Sequence, residues 1–339
     1  MKFLFDALFR HVNHYGAVLP YNLNWQIRLW ERAQKFLRDH PLVVCDVGAR
    51  GSAPDELAPF FSSTLYHAFD ADAEECARLN RLPHPYRGFR ALPYFIGRCS
   101  GTTPFNLFKE RGESSCYKPA QRFQDVFRRG DFEVDAAIEM ETVSLDEVHA
   151  REGMDLPDFL KLDTQGSELE VLQGAQGVIA KACMVEIEVE FLEMYQGQPL
   201  FHDVLKFMHD QGFDLLYLNR VMGQRISVFD GVSRGQLIFG DALFGRREDC
   251  LAGIATERLA KYVLLLINYG LRDYAYHLML LHPGLEPLIG AQNFLIAQKN
   301  RGRFRRLLSS QLDKLILLLL HLRTYNGLSY DSDRSWPAR

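Results

Sequence analysis

Three aspartates of this 339-residue chain each follow a short apolar run, where they could hold a charged small molecule. Asp46 ends the run Leu-Val-Val-Cys and is followed by Gly48 and Gly51. Asp70 and Asp163 end two later apolar runs in the same way. In open α/β sheets, ligands bind in the crevice at the carboxyl ends of the strands. The pattern of strand, glycine turn and helix therefore predicts that these acids lie near one ligand site.

The glycine turn favours S-adenosylmethionine over a dinucleotide as the bound cofactor. A dinucleotide fingerprint needs three glycines, and this turn has only Gly48 and Gly51. An acid at the turn suits a ligand with an amino group and a sulfonium. Asp70 lies 22 residues beyond Gly48, about the interval at which an acid binds ribose hydroxyls. The alternative is a chance motif in which Asp70 only caps the helix that begins near Asp72. The predicted cofactor-binding residues are Asp46, Gly48, Ala49, Arg50, Gly51, Asp70 and Ala71.

A second group of acids lies in the later half of the chain. Residues 159–162 predict a strand that ends at Asp163, and Gly166 predicts a turn before a helix. Residues 183–191 alternate between apolar and acidic side chains, which is typical of a strand. This alternation places three glutamates on one face, namely Glu186, Glu188 and Glu190.

Composition excludes several classes of protein. An apolar content of 47% supports a sizeable core and excludes disorder as the main state. A net charge of −4 argues against a general nucleic-acid binder, which carries a basic excess. The six cysteines form no metal-binding spacing, so we expect reduced thiols in a cytoplasmic protein. We find no signal-peptide pattern, and the longest aliphatic run, 315–320, is too short to span a bilayer.

The rest of the chain predicts helices on either side of a sheet. Helical periodicity before residue 40 predicts two helices, and a third is predicted to open at Ser52. Residues 98–135 are predicted to be an irregular loop region, with 111–117 near the ligand. The remaining predicted strands are 64–69, 86–97, 138–143, 213–218 and 236–244, and the C-terminal helices are 259–267, 274–281, 288–297 and 304–322. We predict three segments: helical 1–40, a cofactor-binding domain over 41–245, and a helical extension over 246–339 with a frayed tail.

Together these stretches resemble the FkbM family of S-adenosylmethionine-dependent methyltransferases. The matching pieces are at 43–51, 68–72, 144–147, 159–175, 188–201 and 211–213. The most specific is F-L-K-L-D-T-Q-G-S-E-L-E-V-L-Q-G-A at 159–175. The resemblance covers about residues 40–245 and implies a Rossmann-like, seven-stranded, mostly parallel α/β sheet with helices on both faces. Helices before the sheet and a helical appendage after it complete the expected fold.

The chain departs from the family pattern at two places. The family usually has Glu where this chain has Asp70, which shortens the ribose contact without removing it. It usually has Val-Glu-Gly where this chain has Thr164, Gln165 and Gly166, so a charge beside Asp163 is lost. That loss argues against a metal role that needs the extra carboxylate.

The resemblance implies methyl transfer to a hydroxyl oxygen, which requires a way to remove the hydroxyl proton. An aliphatic hydroxyl ionises far above neutral pH, so it needs a general base or a cation that stabilises the alkoxide. The predicted catalytic residues are Asp163, then Glu168 and Glu188. A divalent cation held by Asp163 and Glu188 or Glu190 is the less favoured alternative. Glu168 could instead only stabilise a helix N-terminus, and the glutamates could form a solvated face.

We predict an O-methyltransferase that uses S-adenosylmethionine and acts on a hydroxyl of a sugar, glycolipid or secondary metabolite. The alternatives are a non-catalytic binding or scaffold protein and an NAD-dependent oxidoreductase. The arginines and leucines of residues 301–322 predict a helical appendage or homodimer interface, with peripheral membrane contact as the other interpretation.

Overall fold

The apolar run at residues 42–47 forms a central strand of the main sheet. The structure, a computed structural model, describes residues 23–50, 55–127, 132–225, 235–292, 295–296 and 330–332. Within these ranges the strands are β1 (Leu42–Val47), β2 (Thr64–Phe69), β3 (Gly88–Leu92), β4 (Phe95–Gly97), β5 (Gly101–Phe108), β6 (Val134–Ser144), β7 (Phe159–Leu162), β8 (Met184–Glu190), β9 (Phe213–Gly223), β10 (Gln236–Arg246) and β11 (Tyr330–Ser332).

Eight of these strands form the main sheet, in the order β11-β9-β10-β8-β7-β1-β2-β3. The five neighbours from β8 to β3 are parallel, whereas β10 runs antiparallel to both β8 and β9. Every residue of β1 is buried, as expected for a strand covered on both faces. The predicted seven-stranded, mostly parallel sheet is confirmed, and β11 adds a short antiparallel edge beside β9.

A second sheet contains three strands in the order β4-β6-β5. The strand predicted over residues 86–97 is divided at Pro93, so that β3 joins the main sheet and β4 joins the small one. Proline cannot donate a ladder hydrogen bond, which explains this division. The prediction that residues 98–135 are irregular is wrong, because β5 and a helix at Gln121–Phe127 lie within them.

Helices cover both faces of the main sheet. They are α1 (Leu23–Asp39), α2 (Ala73–Arg81), α3 (Gln121–Phe127), α4 (Leu145–Glu152), α5 (Glu168–Gln173), α6 (Gln176–Ile179), α7 (Phe201–Asp210), α8 (Thr256–Asn268), α9 (Arg272–Leu281) and α10 (Leu285–Ile289). Short 3₁₀ turns lie at Asp55–Ser63, Arg111–Glu113 and Glu248–Cys250. Helices α1, α8, α9 and α10 pack on one sheet face. Helices α4, α5, α6 and α7 pack on the other.

Helix α8 is anchored to the sheet by a buried ion pair. The Lys261 ammonium lies 2.6 Å from the Asp158 carboxylate and 3.0 Å from the Pro41 carbonyl. Asp158 also accepts a hydrogen bond from the Val43 amide at 2.9 Å and lies 3.1 Å from Arg258. Helix α8 therefore belongs to the core that supports β1 and β7, although it follows the region of the resemblance.

Several sequence predictions fall outside the described residues. These are the first N-terminal helix, the cap at Ser52 and the last helix over 304–322. The predicted segment boundaries at residues 40 and 245 stay predictions, as do the homodimer and the membrane contact. Across the described ranges, we find no helix with both the length and the apolarity needed to cross a membrane.

Replacing Lys261 by Met should destabilise the fold strongly, because it removes the buried ammonium and leaves the Asp158 carboxylate with Arg258 as its remaining charged partner. Removing one partner of a buried pair costs about 3–5 kcal/mol. The matched control is Lys206→Met, which removes the exposed pair with Asp210 and should cost about 0–1 kcal/mol. Urea unfolding curves of both variants measure the two costs. Equal losses would contradict the anchoring role of Lys261.

Candidate active site

A cleft opens at the carboxyl ends of β1, β2 and β7, between the main sheet and the small one. Its volume is about 420 Å³. The main-sheet side is lined by Val47, Gly48, Arg50, Phe69, Asp70, Ala71, Asp72, Asp163, Thr164 and Gln165. This is the edge at which the sequence predicts a ligand site. The predicted loop at 111–117 also reaches the cleft, through Arg111, Gly112 and Ser114.

The turns after β1 and β7 are in direct backbone contact. Gly48 has a φ of +85°, and a Cβ added there would lie 1.8 Å from the Asp163 carbonyl oxygen. The Asp163 amide donates to the Val47 carbonyl at 3.0 Å. The amides of Gly48 and Ala49 both donate to the Phe69 carbonyl, which ties the same turn to β2. Only glycine accommodates this conformation and this contact, so Gly48 fixes the three strand ends relative to one another.

The β2 side of the cleft carries an acidic group. Asp70 accepts a hydrogen bond from the Asp72 amide at 2.7 Å and lies 3.5 Å from the Arg50 guanidinium. Burial raises the pKa of Asp70, while the Asp72 amide and the Arg50 charge oppose that rise. Asp72, not Asp70, caps helix α2 by accepting from the Glu74 and Glu75 amides. A carboxylate accepts up to about four hydrogen bonds, so Asp70 retains capacity for a diol.

Asp46 lies behind the cleft wall and not on it. Asp46 is 3% exposed, and its side chain accepts a hydrogen bond from the Tyr66 hydroxyl and lies 3.7 Å from the Lys161 ammonium. Burial raises the pKa of Asp46, and Lys161 and Tyr66 counteract the rise. Ala49 is also buried in the core. Of the other predicted cofactor-binding residues, Gly48, Arg50, Asp70 and Ala71 line the cleft, and Gly51 lies outside the described residues.

Lys161 connects the buried Asp46 to the cleft. Asp46 and Lys161 are register partners on β1 and β7, and Lys161 pairs with Glu186 on β8. The Lys161 ammonium lies 3.2 Å from Asp163 Oδ2. Burial alone would lower the pKa of Lys161, but the carboxylates of Asp163, Asp46 and Glu186 together raise it well above its ordinary value. The Lys161 charge therefore sits directly beneath the Asp163 carboxylate.

Gln165 organises the β7 side of the cleft. It is the one non-glycine residue of the described ranges with a positive φ, at 57°. Its side-chain nitrogen donates to Asp163 at 2.9 Å and to Glu188 at 3.1 Å. Its side-chain oxygen accepts from the Tyr195 hydroxyl at 2.8 Å. Asp163, whose side chain is 32% exposed, presents its carboxylate to the cleft beside this amide.

The other two predicted catalytic acids do not line the cleft. Glu168 is 2% exposed, and its carboxylate accepts from the Thr164 amide at 2.6 Å and the Gly166 amide at 3.1 Å. Burial raises its pKa to about 7. Glu188 lies behind Gln165; burial and then the charges of Asp163 and Glu190 raise its pKa. Both acids act on the turn that carries Asp163, since each bonds to Gln165 or its neighbours.

The small sheet supplies an apolar wall opposite these acids. Phe105 and Ile138 are register partners on β5 and β6, and alternate residues of a strand share a face. The cleft-lining members of this face are Phe95, Phe105, Leu107, Ile138 and Met140. Ile138 is 41% exposed although it is apolar, so this wall is open to a bound molecule.

The acids of the site do not form a metal centre. Across the described residues, no group of three or more His, Cys, Asp or Glu side chains is arranged to hold a metal ion. The geometry instead offers two carboxylates, Asp70 and Asp163, on either side of the Gly48 turn. Such a pair suits an uncharged diol at one end and a cationic or proton-donating group at the other.

A comparison with protein families decides the assignment. The model of the methyltransferase FkbM domain matches residues 46–215, which is half of the 339 residues. The chain belongs to the FkbM methyltransferase family. The family resemblance predicted from the sequence is confirmed. No curated protein matches the chain.

Solved structures similar to this FkbM protein are distant from it. A methyltransferase FkbM from Methylobacillus flagellatus is 15% identical with a TM-score of 0.31, over 59% of this chain and 43% of that one. This chain thus matches less than half the length of that protein. A precorrin-6y C5,15-methyltransferase from Geobacter metallireducens is 10% identical with a TM-score of 0.32, over 63% and 88%. A Burkholderia thailandensis 1,6-didemethyltoxoflavin N1-methyltransferase, solved with S-adenosylhomocysteine, is 13% identical with a TM-score of 0.30, over 73% and 89%.

Sequence reasoning missed three side chains of the FkbM site. Lys161 lies within an apolar run that predicts a strand. A single charged residue at a predicted buried position indicates a charged partner, and this could have identified Lys161. At Gln165 the sequence indicates only the absence of a charge. Tyr195 gave no local signal, because it is brought to Gln165 from 30 positions further along the chain.

Replacing Gly48 by Ala should disrupt the junction of the two turns, since the new Cβ would overlap the Asp163 carbonyl. We expect a loss of about 2–4 kcal/mol of stability from overpacking together with backbone strain. Gly153→Ala is the matched control, because Gly153 also has a positive φ but a Cβ there meets nothing within 4 Å. That control should lose only about 1–2 kcal/mol. Urea denaturation compares them, and indistinguishable losses would argue against a tight junction.

Proposed function

We propose that this protein is an O-methyltransferase that moves the methyl group of S-adenosylmethionine to a hydroxyl of a small molecule. The acceptor classes that we propose are sugars, glycolipids and secondary metabolites. The observation that carries the proposal is the placement of the Asp163 carboxylate on the cleft, one backbone contact away from the turn that bears Gly48.

The cofactor side is proposed to be the β1 and β2 half of the cleft. Asp70 offers carboxylate oxygens to the ribose hydroxyls, and Gly48 leaves the backbone accessible beside it. The acids Asp70 and Asp163 suit the positive charge of a sulfonium. S-adenosylmethionine supplies an activated methyl group when bound. The protein therefore has to orient the acceptor and remove its proton, and orientation alone contributes a large share of such rate enhancements.

The acceptor side is proposed to be the β7 half, with Asp163 as the general base. Its Oδ2 faces the Lys161 ammonium and its Oδ1 accepts from Gln165, so the carboxylate is held in one orientation. Each oxygen retains a second acceptor position for the hydroxyl of a substrate. Asp163 would accept the proton of that hydroxyl, and S-adenosylmethionine would supply the methyl group, its carbon–sulfur bond breaking to leave S-adenosylhomocysteine.

The remaining acids of the site are proposed to position Asp163. Glu168 is bonded to the backbone of the turn at Thr164 and Gly166, and Glu188 is bonded to the Gln165 amide. Asp46 acts through Lys161. The apolar wall of Phe105, Leu107, Ile138 and Met140 is proposed to contact the apolar part of the acceptor. Because of this wall, we propose that the acceptor has an apolar portion next to its hydroxyl.

S-adenosylhomocysteine should raise the melting temperature of the protein, and NADH should not. A ligand at about 100 times its Kd stabilises a protein by about 2.7 kcal/mol if it binds only the folded form. Asp70→Ala should abolish most of the shift because it removes the ribose contact. Asp210→Ala, an exposed aspartate on helix α7, is the control and should keep the full shift. Stabilisation by NADH alone would overturn the proposed cofactor.

Asp163→Asn should lower turnover by about 10²–10⁴-fold, the range for a lost general base. The amide keeps the size of the side chain, so binding of S-adenosylhomocysteine should change little. Turnover is measured with isotope-labelled S-adenosylmethionine and a metabolite extract as the source of acceptors. Unchanged label transfer by the variant would rule out Asp163 as the base.

A further inference from the structure

The Gln165 side chain occupies the gap between two acids at the acceptor end of the cleft. Its single nitrogen donates both to Asp163 Oδ1, at 2.9 Å, and to Glu188 Oε1, at 3.1 Å. An amide nitrogen carries two hydrogens, so one is available for each acid. Two carboxylates on adjacent strands are thereby joined through one neutral group.

The orientation of this amide is determined by its neighbours. Asp163 is paired with the Lys161 ammonium and its carboxylate only accepts hydrogen bonds, so the nitrogen and not the oxygen of Gln165 must face Asp163. The oxygen faces the Tyr195 hydroxyl, which donates to it at 2.8 Å. The Gln165 carbonyl accepts from the Ser115 hydroxyl at 2.7 Å, which holds the left-handed backbone of the residue. Three partners therefore hold the side chain of Gln165, and a fourth holds its backbone.

The Gln165 amide, which bridges Asp163 and Glu188, also gives the second oxygen of Asp163 a hydrogen-bond partner. One of its oxygens faces Lys161 at 3.2 Å and the other faces Gln165. Enzymes that use Mg²⁺ or Mn²⁺ commonly bind the cation where two carboxylates approach each other, because the cation neutralises both charges. Here the position between the two carboxylates is taken by the amide nitrogen.

We propose that Gln165 is a positioning residue that replaces a divalent cation, so that the acceptor side of this cleft works without one. The proposal rests on the proposed methyl transfer, and it predicts that Gln165→Glu turns the cleft into a divalent-cation site. Glutamate there would put a third carboxylate beside Asp163 and Glu188, and three oxygen-donating side chains are enough to begin such a site.

Mn²⁺ binding and cation dependence test the proposal on the full-length protein. Wild type should bind no Mn²⁺ at millimolar concentration by calorimetry, and EDTA should leave its label transfer unchanged. Gln165→Glu should bind Mn²⁺ and lose at least about 10-fold of its label transfer in EDTA. Added Mg²⁺ or Mn²⁺ should restore that transfer. Gln176→Glu adds the same charge at an exposed position of helix α6 and should behave as wild type.

Two results would overturn the proposal. One is Mn²⁺ binding or EDTA sensitivity in wild type, a measurement that does not depend on any variant folding. The other is a folded Gln165→Glu protein, judged by its binding of S-adenosylhomocysteine, that gains no affinity for Mn²⁺. Failure of wild type to bind S-adenosylhomocysteine is a different result, which would remove the proposed function, while the Mn²⁺ titrations would still report on the bridge.

Discussion

The backbone of Gly48 packs against the carbonyl of Asp163, and the architecture of the cleft depends on this contact. No side chain fits between the two turns, so the ends of β1 and β7 cannot move apart independently of each other. The same turn is hydrogen bonded to the end of β2 through Phe69. Groups on three strands are thus held at fixed separations, which is the requirement for transfer between two bound molecules.

A buried ion pair beneath the cleft, between Asp46 and Lys161, also links the ends of β1 and β7. Asp46 and Lys161 are cross-strand partners on the face of the sheet that helices α1 and α8 cover. Lys161 lies between the buried Asp46 and the cleft-lining Asp163, so its charge faces both carboxylates. Helix α8 lies outside the matched family region, yet its pair with Asp158 supports the same two strands. Helix α8 consequently supports the site, although none of the described residues after β10 lines the cleft.

The strands of the main sheet, the turn glycines and the acids at the cleft were predictable from the sequence. Each strand is a short apolar run, and a run followed by an acid and a glycine indicates where the strand ends. Strand β5 was not predicted, since it is stabilised by pairing with β6 some 30 positions later. The burial of Asp46 and Glu168 could not be foreseen either, as it depends on which way each side chain turns relative to its partner strand. The role of Gln165 requires Tyr195 and a left-handed backbone, and neither is visible in its neighbours.

In the proposed function the methyl donor and the acceptor lie on opposite sides of one junction, and a crystal structure with S-adenosylhomocysteine measures that placement directly. We expect this placement to put the ribose at Asp70 and the sulfur opposite the Asp163 carboxylate across the Gly48 turn. A nucleoside bound outside this cleft, or one whose sulfur points away from Asp163, would contradict it.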